Sequence, residues 1–268
     1  MKELNGRELA GYIKERQAHI VAGMTKKPRL LIIRDSENPV ILKYVELKKR
    51  YGDDIGVEVV DYFAHNAEEI RTKILEANDD DLINGMIIQL PILETDKVDE
   101  LVGLIAPEKD VDGLNLSVSD SKRCFDSATA TAIHWLLTGY NVELSGKRLA
   151  IVGRGRLVGA PLERIWKNSG YDVTVFHRGS DLSELKDFDV IVTATGVPHL
   201  IKNEMVAPGA VIVDAGTASE GGVLVGDVDD AVRERSDLGA MTPKIGGVGP
   251  LTVACLFDHV ITAAEKSN

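Results

Sequence analysis

Cysteine is scarce. Cys124 and Cys255 are the only two in 268 residues, too few for a disulfide framework and too far apart for a zinc motif. A reducing compartment fits that usage, and the cytoplasm is the expected location. The six histidines, at 19, 65, 134, 177, 199 and 259, show no ligand spacing, so no metal is expected. Positive charge is also in deficit. Lys and Arg number 31 against 42 Asp and Glu, a net charge of −11. An acidic surface repels phosphate backbones, so nucleic acid is not an expected partner, although a local basic pocket for a small anion remains compatible. No apolar run is expected to reach the length of a membrane span, and no membrane partner is expected. The N-terminal MKELNGRELAGYIKERQ lacks the apolar core of a signal peptide and reads as an amphipathic helix. G-x-S-x-G, H-E-x-x-H and the P-loop are all missing, which removes the hydrolase, zinc-protease and NTPase chemistries those motifs carry.

What is present is alternation. Apolar, β-branched runs occur at 29–33, 57–63, 85–90, 148–152, 172–176, 189–194 and 210–214. Helical patterns lie between or after them at 39–51, 67–77, 96–105, 131–140, 161–169 and 251–265. Strands this apolar suit a sheet covered on both faces, and the alternation implies a parallel sheet in an α/β fold. The pattern breaks once, in the polar, Ser/Thr-rich stretch NLSVSDSKRCFDSATATA (115–132), which reads as the end of one α/β unit and the start of a helix leading to the next.

Residues 151–161, IVGRGRLVGAP, run from a strand into Gly153, Gly155 and Gly159. Glycine serves a turn where φ is positive or where backbone approaches a ligand, and amides at a helix start face phosphate. The third glycine comes one place late for G-x-G-x-x-G, so an ordinary strand–helix turn stays open as a reading. The next strand, DVTVF, ends in His177-Arg178 rather than in the carboxylate that grips the ribose of NAD. A guanidinium there, with Arg154 nearby, suits the 2′-phosphate of NADP. Two more strand ends, TATGVP (193–198) and DAGT (214–217), carry small residues that leave room for a cofactor.

In the first half, Tyr44 and Lys48 share one face of a helix. Gln89 closes a strand, and KDVDGLN (109–115) places Asp110 and Asp112 beside a glycine turn. Taken singly, Lys48 reads equally as a solvated helix lysine, Tyr44 as a residue lying over the core, and Asp112 as turn chemistry. Taken together they converge on one edge of an α/β unit, where a lysine beside a bound cation can lose its proton near neutral pH.

Seven segments carry a resemblance: NPVILKYVELK (38–48), IIQLPI (87–92), KDVDGLN (109–115), VGRGRLVGAPL (152–162), VDAGT (213–217), GDVD (226–229) and GGVGPLT (246–252). In this order they span nearly the whole chain. The set resembles the bifunctional methylenetetrahydrofolate dehydrogenase/methenyltetrahydrofolate cyclohydrolase family. The resemblance implies two α/β domains, a folate-binding one over 1–128 with a helix at 250–268 packing back on it, and a Rossmann-like NADP-binding one over 129–249. It implies a homodimer in one-carbon metabolism and purine biosynthesis. It also implies two reactions at one site: oxidation of 5,10-methylenetetrahydrofolate with NADP, then hydrolysis of the methenyl product to 10-formyltetrahydrofolate. Carried over by position, Lys48 transfers the proton of hydrolysis, Tyr44 orients the folate, Gln89 tunes Lys48 and Asp112 bonds the pterin. Gly249, Pro250 and Thr252 line the folate site. Gly153, Arg154 and Gly155, with Thr217, hold the cofactor, to which the strand-end reading adds His177 and Arg178.

The chain departs from the family at several places. Ser127-Ala128-Thr129-Ala130 replaces Pro-Cys-Thr-Pro, with Ala132 for a glycine, and the loss of prolines is expected to loosen 127–132. Gly155 stands for a serine in the nucleotide turn, and Arg178 for a serine after His177. These changes gather on the nucleotide side. They leave open a cyclohydrolase with weak or lost dehydrogenase activity, a folate- or nucleotide-binding protein without turnover, and an NADP-dependent reductase of another metabolite.

Overall fold

The computed structural model describes residues 1–220 and 223–266. In chain order the elements are β1 (Lys2–Glu3), α1 (Gly6–Ala22), β2 (Arg29–Arg34), α2 (Pro39–Ile55), β3 (Glu58–Phe63), α3 (Ala67–Asp79), β4 (Gly85–Ile88) and α4 (Val98–Gly103). They continue with α5 (Ala128–Gly139), β5 (Arg148–Val152), α6 (Gly159–Asn168), β6 (Asp172–Phe176), β7 (Val190–Thr193) and β8 (Val211–Asp214). The chain ends through β9 (Ala218–Glu220), β10 (Val223–Val225), α7 (Asp230–Arg233), β11 (Ala240–Met241) and α8 (Val248–Lys266). It divides into two compact units, one of residues 11–128 and 253–268, the other of residues 1–10 and 129–252.

The first unit carries a three-stranded parallel sheet in the order β3-β2-β4. Leu31, Ile33, Met86 and Ile88 pack with Ile70 and Ile74 of α3 and Leu101 and Val102 of α4. Helix α2 is specified locally. Asn38 caps it by accepting from Val40 N–H at 2.9 Å, Pro39 opens it, and Gly56 ends it with φ +84°. Lys109, a letter of the KDVDGLN motif, closes the far end of α3 by donating to the carbonyls of Ala77, Asn78 and Asp80 at 2.8–2.9 Å. Helix α8 brings its later turns onto the same unit. Gln17 donates to Ala254 O at 2.9 Å, Tyr51 stacks on Phe257, and His259 Nδ1 lies 2.8 Å from Val111 O.

The second unit carries a six-stranded, all-parallel sheet ordered β1-β11-β8-β7-β5-β6. The chain starts in the middle at β5, adds β6 on one side, then adds β7, β8 and β11 on the other. The order therefore reverses between β5 and β7, and a doubly wound sheet binds ligands in the crevice at such a reversal. Its core holds Ala150, Val152, Ile191 and Ile212 from the strands against Leu185, Ile201 and Val232.

Three expectations are corrected. The N-terminal residues, expected with the first domain, belong to the second unit, because β1 pairs with β11 and extends that sheet by one strand. The 127–132 stretch is not a loosened loop. Helix α5 begins at Ala128, whose N–H donates to Asp112 O at 3.2 Å, and Ala128, Ala130 and Ala132 are fully buried. Small alanines satisfy the close packing at this position. Finally, α8 is long and apolar enough to cross a membrane by length and composition, but it is 61% buried and serves as a core helix. Its apolar residues face protein, which a window of hydropathy does not register.

Gly52 lies where α2 rests on β3. A Cβ there would sit 2.6 Å from Val59 Cγ2 and 2.8 Å from Val57 O. Gly52→Ala, although it favours helix by about 1 kcal/mol, is expected to destabilise the protein by roughly 1–3 kcal/mol through overpacking. Urea denaturation checks this as a lower midpoint at unchanged slope.

Candidate active site

Lys48 stands on the α2 face that also carries Tyr44, and Gln89 follows β4. Lys48 Nζ donates to Gln89 Oε1 at 2.8 Å. The Gln89 amide is held the right way round because its Nε2 donates to Leu90 O at 3.1 Å. A parallel bridge from Met86 to Asp110 lays the 109–113 segment alongside β4, which carries Asp112 to the same edge. Burial pushes the Lys48 ammonium below its ordinary pKa, while the Asp112 charge opposes that shift. Burial likewise pushes the Asp112 carboxyl up to about 6, with Lys48 pulling it down and Asp110 pushing it further up. The pair shares one desolvated pocket in which a proton has two neighbouring homes. Such a pair suits a group that must both take and give a proton near neutral pH.

The two aspartates of the motif have separate tasks. Asp110 is 5% exposed and accepts from Leu114 N–H at 3.3 Å and Asn115 N–H at 2.9 Å. It builds the turn. Gly113 completes that turn with φ +66°, in a place where a Cβ would meet Asp126 O at 2.3 Å. The Asp112 carboxylate accepts no hydrogen bond among the described residues, which leaves its lone pairs available to the donors of a ligand. Tyr44 is 39% exposed and its ring is open to a flat partner.

The nucleotide turn of the second unit is built as a cradle. Gly153 has φ +102°, and a Cβ on it would lie 2.7 Å from Ala194 O. Gly159 opens α6 with its Cα so near the turn that a Cβ would lie 2.0 Å from Gly153 O. Gly155 meets nothing within 4 Å. The first and third glycines are therefore demanded by the backbone, and the middle one faces open space. An arrangement of this kind, at the β5–β7 reversal and ending in a helix N-terminus, fits a dinucleotide. His177 and Arg178 follow β6 and are exposed, and Thr217 lies exposed beyond β8. The Arg178 guanidinium makes no ion pair among the described residues. Arg154 is less free: its Nε donates to Glu163 Oε2 at 3.0 Å, and Glu163 is shared with Lys167 at 2.7 Å. Glu163 is a partner that motif reading passed over. Gly249, Pro250 and Thr252 fall in the first turns of α8, because the helix starts at Val248 rather than at Leu251 as expected. Pro250 is tolerated there because N–H groups of a first turn have no partner within the helix.

A second group also escaped notice. Asp214, Asp227 and Arg233 lie in or near the quoted VDAGT and GDVD segments, and the sequence alone assigns them no role. Asp214 Oδ1 accepts from Gly216 N–H and Asp227 N–H, both at 3.1 Å, and Oδ2 accepts from Val228 N–H at 3.2 Å and pairs with Arg233. Asp227 is 0% exposed and accepts from Thr193 and Thr195. An Asp within two residues of a Gly in each of the two segments was the available signal.

Two family models match the chain. One describes the catalytic domain of tetrahydrofolate dehydrogenase/cyclohydrolase, over residues 4–112, and the other its NAD(P)-binding domain, over residues 127–268. The bifunctional protein FolD of Hydrogenobaculum sp. (strain Y04AAS1) is 34% identical, covering 99% of each chain. The crystal structure of the bifunctional FolD dehydrogenase/cyclohydrolase from Campylobacter jejuni superposes with a TM-score of 0.90 at 31% identity, over 99% of each chain. That of the Trypanosoma brucei enzyme, complexed with NADP cofactor and inhibitor, gives 0.87 at 29% identity, covering 98% of this chain and 97% of that one.

The cradle geometry separates its glycines. Gly159→Ala is expected to cost about 1–3 kcal/mol and to lower the melting temperature by several degrees. Gly155→Ala is expected to leave it within about one degree, since the new methyl enters open space. Calorimetry of the two variants without ligand checks the pair.

Proposed function

The chain belongs to the tetrahydrofolate dehydrogenase/cyclohydrolase family, and from that premise we propose that it oxidises 5,10-methylenetetrahydrofolate with NADP and hydrolyses the methenyl product to 10-formyltetrahydrofolate. The observation that carries the reading is the desolvated Lys48, bonded to Gln89 and beside Asp112. It supplies the proton chemistry of the second reaction, and the glycine cradle supplies the binding chemistry of the first.

NADP, when bound, supplies the hydride acceptor. On the protein side, Gly153, Gly155 and the start of α6 offer backbone amides to its phosphates, and Arg178 offers a free guanidinium to its 2′-phosphate. Loss of hydride leaves the one-carbon unit as a cation shared between N5 and N10 of the folate. No protein nucleophile is needed for that step, only orientation, to which Tyr44 contributes a flat face and Asp112 an acceptor for pterin N–H groups. The nearby cation lowers the Lys48 pKa further. Neutral Lys48 then takes a proton as water adds its oxygen to the cationic carbon. The resulting ammonium returns a proton to N5 as the N5–carbon bond breaks; the hydroxyl proton of the adduct leaves to solvent as its oxygen becomes the formyl carbonyl, and the formyl group stays on N10. Gln89 Oε1 holds one N–H of the lysine throughout, which keeps the amine lone pair turned towards the water. Family membership supports a homodimer in the cytoplasm whose product feeds purine biosynthesis. The acidic balance of the chain supports small-molecule partners and neither nucleic acid nor a membrane.

Two experiments test the reading. Methylenetetrahydrofolate and NADP are mixed with the protein, and methenyl absorbance is followed as it rises and decays. Lys48→Met is expected to leave the rise within a few-fold and to slow the enzymatic decay by at least about a hundredfold, the range of a lost general base. A wild type that produces no methenyl signal would sink the dehydrogenase assignment, and normal decay in the variant would sink the role of Lys48.

The pH profile is a second check. Hydrolysis is expected to rise with pH as Lys48 loses its proton, with a midpoint below that of an ordinary lysine. Asp112 raises the Lys48 pKa by its charge, so Asp112→Asn is expected to move the rising limb to lower pH while raising KM for folate. A limb that stays in place or moves upward contradicts the coupling.

A further inference from the structure

The Asp227 carboxylate is wholly buried and forms no ion pair among the described residues. Its Oδ2 accepts three hydrogen bonds, from Thr193 Oγ1 at 2.6 Å, Thr195 N–H at 2.6 Å and Thr195 Oγ1 at 2.9 Å. Its Oδ1 is buried and accepts none from the described residues. The carboxylate lies flat against Gly216, where a Cβ would come within 2.0 Å of Oδ1. Burying a carboxylate without a counter-ion is unfavourable, and a neutral side chain of the same size would fill the space without it. What the charge achieves is geometric. It draws both the N–H and the hydroxyl of Thr195 inward, and the hydroxyl oxygen in turn accepts from Val197 N–H at 3.1 Å. The turn after β7 is thereby shaped around one carboxylate oxygen.

That turn walls the nucleotide cradle. Ala194 O and Thr195 Cγ2 lie 2.7 Å and 3.2 Å from the place a Gly153 Cβ would take. β7 is also the strand at which the sheet order reverses beside β5, the position where a doubly wound sheet receives its ligand. Asp227 is itself fixed from behind, by Asp214 accepting its N–H and by the backbone bond from Ile201 N–H to Asp227 O at 3.0 Å.

We propose that Asp227 is a positioning residue for NADP binding, acting through Thr195 on the glycine turn at Gly153. The inference rests on the proposed function and adds to it a residue that touches neither substrate nor cofactor. Each carboxylate contact it makes is with a side chain or backbone group of the β7 or β8 strand ends, and the effect passes by packing from Thr195 to Gly153.

The test compares Thr195→Val, Asp227→Asn and Asp227→Ala with the wild type in four measurements: calorimetric Kd for NADP, dehydrogenase kcat/KM, the rate of methenyl hydrolysis, and melting temperature. Thr195→Val keeps the shape and the N–H but loses the hydroxyl contacts. It is expected to weaken NADP binding and to lower dehydrogenase kcat/KM by tenfold or more, with hydrolysis within twofold and melting temperature within about two degrees. Asp227→Asn retains an oxygen acceptor for the three donors, so its loss in NADP affinity is expected to be several-fold smaller than that of Asp227→Ala. Unchanged NADP affinity in Thr195→Val overturns the inference. So does a parallel fall in hydrolysis and melting temperature, which would mark a general structural role, or equal losses in the Asn and Ala variants. Should Asp227→Ala fail to fold, Thr195→Val decides alone. A wild type that binds no NADP would instead count against the proposed function.

Discussion

An amine held out of water beside a carboxylate is the constraint on which the chemistry of this protein depends. In water a lysine is an ammonium at every physiological pH, useless as a base. Lys48 is moved towards the neutral amine because α2 carries it inward to Gln89, whose amide accepts one N–H at 2.8 Å. Burial lowers its pKa, and the Asp112 charge restrains the fall. The result is an amine poised to change protonation when a folate cation arrives and leaves.

Both units meet the same geometric problem and solve it alike. Side chains and turns that handle a ligand must gather at the carboxyl edge of a parallel sheet, where backbone groups have run out of strand partners. In each unit a buried aspartate replaces those partners. Asp110 gathers the N–H groups of Leu114 and Asn115 after β4. Asp214 gathers those of Gly216, Asp227 and Val228 after β8. Around Asp214 glycine is required because the carboxylate lies against backbone: a Cβ at Gly226 would sit 2.1 Å from Asp214 Oδ2.

The fold was legible wherever a strand was long and apolar. The seven expected strands are present within two residues at their ends, since β-branched runs buried on both faces have few competing states. The shortest strands were not. β1 and β11 are two residues each, and two residues carry no period. The placement of the N-terminus with the second unit was lost with them. Ala128 to Ala132 misled for another reason: missing prolines were read as slack, but alanine is the best helix former and packs where a larger residue does not fit. In the active site, Lys48, Gln89 and Asp112 were visible as chemistry-bearing residue types near strand and helix ends. Glu163 was hidden, because a glutamate at helical spacing from Lys167 reads as an ordinary surface pair, and nothing local says that it also holds Arg154.

The acids of the two units differ in what they accept from the protein, and this difference sorts scaffold from chemistry. Asp214 is met by Arg233 and three backbone N–H groups, so its charge is consumed in place. Asp227 forms no ion pair among the described residues and is held by three donors on a single oxygen. Its charge is spent on the shape of one turn. Asp112, alone among them, accepts nothing from the described residues, and its neighbour is a lysine that must stay free to release its proton. A carboxylate with unfilled lone pairs beside such a lysine contributes nothing to folding that a neutral side chain would not do better. A pterin ring, with N–H groups along one edge and a cation at the other end, is complementary to both members of the pair.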